Sequence, residues 1–174
     1  MEWLLRTARG MPLHDLTREK DIVRTRMAML QKELSSFGDE GRPLARYALG
    51  RGHMGLHEYE NALRELEQAI AQGFAHPDAY YALGVVLGKH YEQAMHEARL
   101  AGGGDWAKKR LADIEPKYLR PAITALQRAR TSTSETPEYL DGLIAYYQRD
   151  FPAALSHAQQ ALRHAPWLHE AHKL

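Results

Sequence analysis

Leu49-Gly50 recurs as Leu83-Gly84, and that spacing of 34 residues (83 minus 49) constrains the chain more than any other feature. A repeat of this length suits a pair of helices joined by a turn, a unit that cannot bury its apolar face alone and must stack on a neighbour. The residue types agree with that reading. A glycine on the first helix and an alanine on the second belong where two helices cross closely, because a larger side chain would push the axes apart. Gly50 with Ala62, and Gly142 with Ala154, repeat the arrangement. The units fall at about 43–76, 77–134 and 135–168, and Pro166-Trp167 begin a further helix truncated at Leu174.

The second unit is split. Leu49 and Ala62 are 13 residues apart, as are Asp141 and Ala154, whereas Leu83 and Ala122 are 39 apart, so 26 extra residues (39 minus 13) separate its two helices. The first helix is expected to run on from Asp78 through Tyr91, Met95 and Ala98 to about Ala101. Gly102-Gly103-Gly104 ends it, a short charged helix covers Asp105 to about Ile114, and Pro116 opens the second helix, with Ile123, Leu126 and Ala129 inward. The insert, near 96–121, reads as a helical protrusion, since loop closure becomes only slowly costlier with length. Ahead of the repeats, residues 1–41 read as connecting and packing helices. Thr17 or Asp15 caps a helix over 17–36, where Val23, Met27, Leu30, Leu34 and Phe37 make one apolar stripe stopped by Gly38. The first repeat is the surface this stripe must cover.

Composition excludes several functions. Alanine, leucine, arginine and glutamate dominate, which favours helix because unbranched side chains lose little rotamer freedom there. With 23 basic against 22 acidic residues the chain offers no phosphate-neutralising face, so no nucleic-acid partner is expected. The densest basic cluster, Lys108 to Arg110, precedes Asp113 and Glu115 and reads as a solvated helix face. The absence of cysteine removes disulfides and thiolate metal sites. The apolar run at Trp3, Leu4 and Leu5 is too short for a signal or a span, so a cytoplasmic protein without a membrane partner is expected. Both ends lack capping signals and read as cuts, so the chain is expected to be a piece of a longer protein.

The segments YALGRGHMGLHEYENALRELEQAI, AYYALGVVLGKHYEQAM and FPAALSHAQQALRHAPW resemble tetratricopeptide (TPR) repeats. Leu49, Gly50, Tyr59, Ala62, Leu66 and Ala69 fall where the family pattern wants them; Gly142, Phe151, Ala154, Ala158, Ala161 and Pro166 do so in the third unit, where Asp141 replaces the usual leucine. Together with WLLRTARGMPLHDLTREKDIVRTRM, these segments are similar to the TPR segment that follows the catalytic domain in a group of bacterial serine/threonine protein kinases. The resemblance implies an all-α solenoid of helical hairpins, with an N-terminal packing helix and a helical insertion in the second repeat. It also implies a bacterial, kinase-associated module for protein–protein interaction. The kinase motifs themselves, a G-x-G-x-x-G loop, V-A-I-K, H-R-D and D-F-G, are missing, so no catalysis and no cofactor are expected.

The same resemblance implies a concave groove lined by the first helix of each unit. Its exposed positions are Leu44, Tyr47, Arg51, Met54 and Gly55; then Asp78, Tyr81, Val85, Gly88 and Lys89; then Thr136, Tyr139, Leu143, Tyr146 and Tyr147. Tyr47, Arg51, Met54, Tyr81, Val85, Lys89, Tyr139, Leu143 and Tyr146 are the candidate peptide contacts. Tyrosine joins an apolar face to a polar handle at low entropic cost, which suits peptide binding. The alternative is that these tyrosines simply pack between neighbouring helices. On the groove reading, Tyr81→Ala and Tyr139→Ala weaken partner binding without unfolding the domain. Arg51, Val85 and Leu143 at the ninth positions do not supply the asparagine and paired basic residues of the chaperone-type carboxylate clamp, so an apolar or aromatic peptide or a helix is the expected ligand. His53 with His57, and His169 with His172, have helical spacing for zinc, but scattered surface histidines account for them as well. Glu58 with Glu60, and Glu65 with Glu67, read as solvated carboxylates rather than acid–base pairs. A structural spacer, self-associating through the open ends of the stack, is the alternative function.

Overall fold

The structure, a computed structural model, describes residue 5 and residues 15–100, 105–132 and 134–174, with the backbone alone at 105–108 and 111. The first helix, α1, spans Thr17–Glu33. Neither Thr17 nor Asp15 sits at its N-cap, which is Leu16, but the Asp15 carboxylate just ahead accepts from the Thr17 amide at 2.9 Å. It stops short of residue 36 because Ser36 turns its amide and hydroxyl back onto the Glu33 carbonyl, a local bond that competes with the helix ladder. Val23, Met27 and Leu34 are buried and Leu30 and Phe37 flank them, packed with Leu5, Ala45 and Leu49 in one cluster. The stripe therefore covers α2, Gly41–Gly55, as its spacing predicts. Gly52 makes this close approach fit, since a Cβ there would lie 2.6 Å from Met27 Sδ.

The chain divides into two units, Met1–Ala82 and Leu83–Leu174, with the boundary inside α4, Pro77–Leu100. In the first unit α2 forms a hairpin with α3, Tyr59–Ala71. Gly50 lies against Leu66, whose Cγ would be 2.7 Å from an added Cβ. A buried ion pair joins the same helices, Arg46 to Glu65 at 2.9 Å, with the Glu65 side chain only 7% exposed. Glu65 is thus not the solvated carboxylate its charged surroundings predict, because Arg46 from the neighbouring helix neutralises it within the hairpin.

In the second unit α4 continues to Leu100, as the periodicity predicts, and α5 spans Asp105–Ile114. The triple glycine at 102–104 lies outside the described residues, as does the N-terminal segment 1–14 apart from Leu5. Tyr91, Ala98 and Ile114 form a small core of their own, flanked by Met95 and Tyr118, so the insert is a helical element with its own burial. Pro116 does not open a new helix. It sits in a π-helical turn, Glu115–Leu119, that leads straight into α6, Arg120–Arg128. Pro116 and Pro121 both lack an amide hydrogen, and the widened turn, with Arg120 N–H donating to Glu115 O, accommodates both rings without ending the helix. Gly84 lies 2.7 Å, measured from its would-be Cβ, from Leu126 Cγ, the counterpart of the Gly50–Leu66 crossing.

The last hairpin joins α7, Pro137–Tyr147, to α8, Phe151–His164. Thr136 and Asp150 cap them, accepting from the Tyr139 and Ala153 amides. Its turn closes with the same main backbone bonds as the α2–α3 turn. Glu58 N–H donates to His53 O at 2.9 Å and Asp150 N–H to Ala145 O at 2.9 Å, and the preceding residue is left-handed in both, His57 at φ 62° and Arg149 at φ 65°. These residues are 92 apart (149 minus 57), the same offset that relates Gly50 to Gly142. Beyond α8 the further helix expected from Pro166 onward does not form. A series of tight turns ends in a 3-10 turn at Ala171–Lys173, with Leu168 and Ala171 buried. The described residues are all helix, turn and connecting loop, with no strand among them.

Candidate functional site

The nine candidate contacts separate into buried and accessible groups. Tyr81 and Tyr139 are each 4% exposed, Leu143 5% and Met54 8%, so the expectation that these four line an open surface is corrected. The physical reason is the amphipathic ring: a tyrosine's large apolar body is driven out of water wherever neighbouring elements cover it, as at Tyr81 and Tyr139. Gly88 and Tyr147 are also interior, because the missing Cβ at Gly88 lets the Tyr147 ring lie directly on α4.

In the first unit Tyr47, Arg51 and Tyr81 come together. The Arg51 guanidinium lies 5.7 Å from the Tyr47 ring centroid and 5.9 Å from that of Tyr81, and it donates to the Tyr47 hydroxyl at 2.7 Å. Phe74 lies tilted against Tyr47 at 4.8 Å and His76 stacks on Phe74 at 5.8 Å, two contributors that lie in a loop and carry no periodicity to reveal them. Arg51 is thereby engaged by its own neighbours.

In the second unit Val85 and Lys89 are half-buried, and Lys89 pairs with Glu92 at 2.6 Å. Tyr146 stands beside Glu92 and lines a cleft of about 330 Å³. The C-terminal half of α4 supplies one wall, Tyr91, Glu92, Met95, His96 and Arg99; the α7–α8 turn supplies the other, Tyr146, Tyr147, Arg149 and Phe151. The rings interlock edge to face, with Tyr146 5.7 Å from Tyr147 and 6.1 Å from Phe151. Burial raises the Tyr146 hydroxyl above its ordinary pKa, and the adjacent Glu92, which also accepts its hydrogen bond, adds to the rise. Burial likewise raises Tyr91, with Glu115 contributing. Of the nine candidates only Tyr146 belongs to the cleft. Tyr147 is among the groove positions read from the sequence and Phe151 among the repeat-pattern residues, whereas Tyr91 to Arg99 read only as helix continuation and nothing in the sequence singles out Arg149. A Tyr-Tyr pair followed by a phenylalanine across a tight turn was the available signal.

A larger open hollow of about 740 Å³ runs along Asp15, Arg18, Ile22, Thr25 and Met29, but a single helix face lines it and no opposing wall stands among the described residues. His53 Nδ1 lies 2.7 Å from Glu58 and His57 Nδ1 2.6 Å from the Tyr59 hydroxyl, and no cluster of three metal-ligating side chains occurs among the described residues. None of the described helices is long and apolar enough to cross a membrane. Comparison of the chain with protein-family models, with curated proteins and with solved structures gives no match.

Proposed function

We propose that this chain is a non-catalytic, tetratricopeptide-like module that binds a protein or peptide, and that it recruits substrates or regulators to a larger bacterial protein such as a serine/threonine kinase. The observation that carries the reading is the aromatic cleft of the second unit, whose two walls come from segments far apart in sequence and whose aromatic side chains line one open volume. Such a concave apolar surface with a few polar groups at its edge is the common form of a recognition site. The repeated turn geometry of the two hairpins, and the repeated glycine–leucine crossings at Gly50 and Gly84, support the repeat assignment. The kinase setting rests on the sequence resemblance.

The test is a peptide-array screen with the purified chain, repeated with Tyr146→Ala and Phe151→Ala. Loss of the captured peptides in both variants, with thermal unfolding little changed for the half-exposed Phe151, supports the assignment. Equal capture by all three chains refutes the cleft as the binding surface. A second reading, self-association, is favoured by the exposed Trp167 and Leu155, 74% and 54% accessible. Sedimentation across a concentration series separates the two, since a constant monomer mass excludes self-association.

A further inference from the structure

We propose that the cleft of the second unit recognises an acidic peptide segment, a carboxylate seated between the Arg99 and Arg149 guanidiniums and an adjoining apolar side chain resting on Tyr146 and Phe151. This rests on the peptide-binding reading above and names the chemistry of its ligand. The charge balance of the walls carries it. The cleft contains one acid, Glu92, which is already held by Lys89 at 2.6 Å and by the Tyr146 hydroxyl. Against it stand Arg99 and Arg149 in the cleft walls, both acting on the Tyr91 hydroxyl together with Glu115, whose charge acts on it more strongly than either arginine, so that with Lys89 the three cations still outnumber the two acids. Neither has a carboxylate in ion-pair contact among the described residues, and Arg149 instead rests 5.8 Å from the Phe151 ring centroid. A guanidinium fork matches a carboxylate in two parallel hydrogen bonds, and the aromatic floor beside it strengthens the attraction by excluding water.

Arg149 is held at φ 65°, a left-handed conformation that glycine adopts freely and arginine does not, as is His57 in the matching turn of the other hairpin. A glycine at the same place would relax the turn and remove the charge. The volume, about 330 Å³, admits one side chain and its neighbouring carboxylate rather than a whole helix.

The experiment measures fluorescence anisotropy of labelled short peptides against the full chain. The peptides have a central phenylalanine flanked by Asp and Glu, by Asn and Gln, or by Lys. The acidic peptide is expected to bind about tenfold more tightly than the amide peptide, and to weaken as salt rises. Arg149→Gly is expected to abolish that preference while raising the melting temperature, a combination that a merely structural arginine does not produce. Arg99→Gln should lower the preference without moving the melting temperature. Equal binding of acidic and amide peptides, or an unchanged preference in both variants, overturns the acid recognition and leaves the cleft as an apolar peptide site. Failure of every peptide to bind overturns both readings. Capture of phosphatidylserine vesicles without peptide binding, or a dimer lost in Arg149→Gly, would overturn it in favour of a lipid surface or a second copy.

Discussion

Single side chains decide how closely these helices approach. At Gly50 and Gly84 an added methyl would stand 2.7 Å from a leucine Cγ inside a hairpin. Alanine gains about 1 kcal/mol of helix propensity, but forcing it into a filled crossing costs about 1–3 kcal/mol. Gly50→Ala and Gly84→Ala are therefore expected to lower the urea midpoint. Gly142 is different, because its nearest neighbour, at 3.1 Å, is the tip of the terminal Leu174. There the propensity wins, and Gly142→Ala should leave stability unchanged or raise it by up to about 1 kcal/mol in the same denaturation series. The left-handed residues give the opposite substitution. His57→Gly and Arg149→Gly relieve about 1–2 kcal/mol of backbone cost each, less about 0.4–1 kcal/mol for the freer unfolded chain. A small net rise in the unfolding midpoint is expected from both; a fall would mean that side-chain contacts of His57 or Arg149 outweigh the backbone. Tyr81→Ala and Tyr139→Ala, being cavity-forming at 4% exposure, are expected to cost about 3–5 kcal/mol and not to report on binding alone.

Between elements, the Arg46–Glu65 pair ties α2 to α3 through a carboxylate that has little access to water. Arg46→Met leaves that charge buried and is expected to cost about 3 kcal/mol, the low end of the usual range because Arg64 remains within reach. The double substitution Arg46→Met with Glu65→Leu should recover most of the loss, since it removes both charges and keeps the volume. Chemical denaturation of the two variants checks this, and a double variant no more stable than Arg46→Met alone would contradict it. The sequence announces the helices themselves, because period, glycine–alanine spacing and the α1 stripe are local signals of burial. It does not announce the pair, since Glu65 sits amid Arg64 and Glu67 and looks solvated until the partner helix is in place. The π turn was equally hidden: Pro116 reads as a helix start by local rules, and only its spacing from Pro121 lets one widened turn absorb both prolines.

At the scale of the molecule, alkaline pH tests the packing around the cleft. Tyr91 and Tyr146 titrate above the ordinary 10.0 because burial disfavours the phenolate and nearby glutamates oppose it. The unfolded chain then loses protons first as pH rises, so stability is intact below the unfolded pKa and falls above it. Melting temperatures recorded stepwise through pH 10.0 should decline, and the double variant Tyr91→Phe with Tyr146→Phe should flatten the decline. An identical slope in the variant would show that other groups govern it. The cleft was poorly legible in the sequence for a reason of scale. The inserted helix extends α4 past the position where a plain hairpin would turn, and the residues it adds, Tyr91 to Arg99, meet Tyr146 to Phe151 only in the folded unit.

The coincidence of the two left-handed turns has a consequence at the level of the gene. Because His57 and Arg149 occupy the same place in one hydrogen-bond pattern, misaligned recombination between their codons would excise residues 58–149 in frame and still leave a well-formed turn joining α2 to α8. The reciprocal product carries the excised stretch twice. These codons are a seam at which the chain can gain or lose helical hairpins without first inventing a loop.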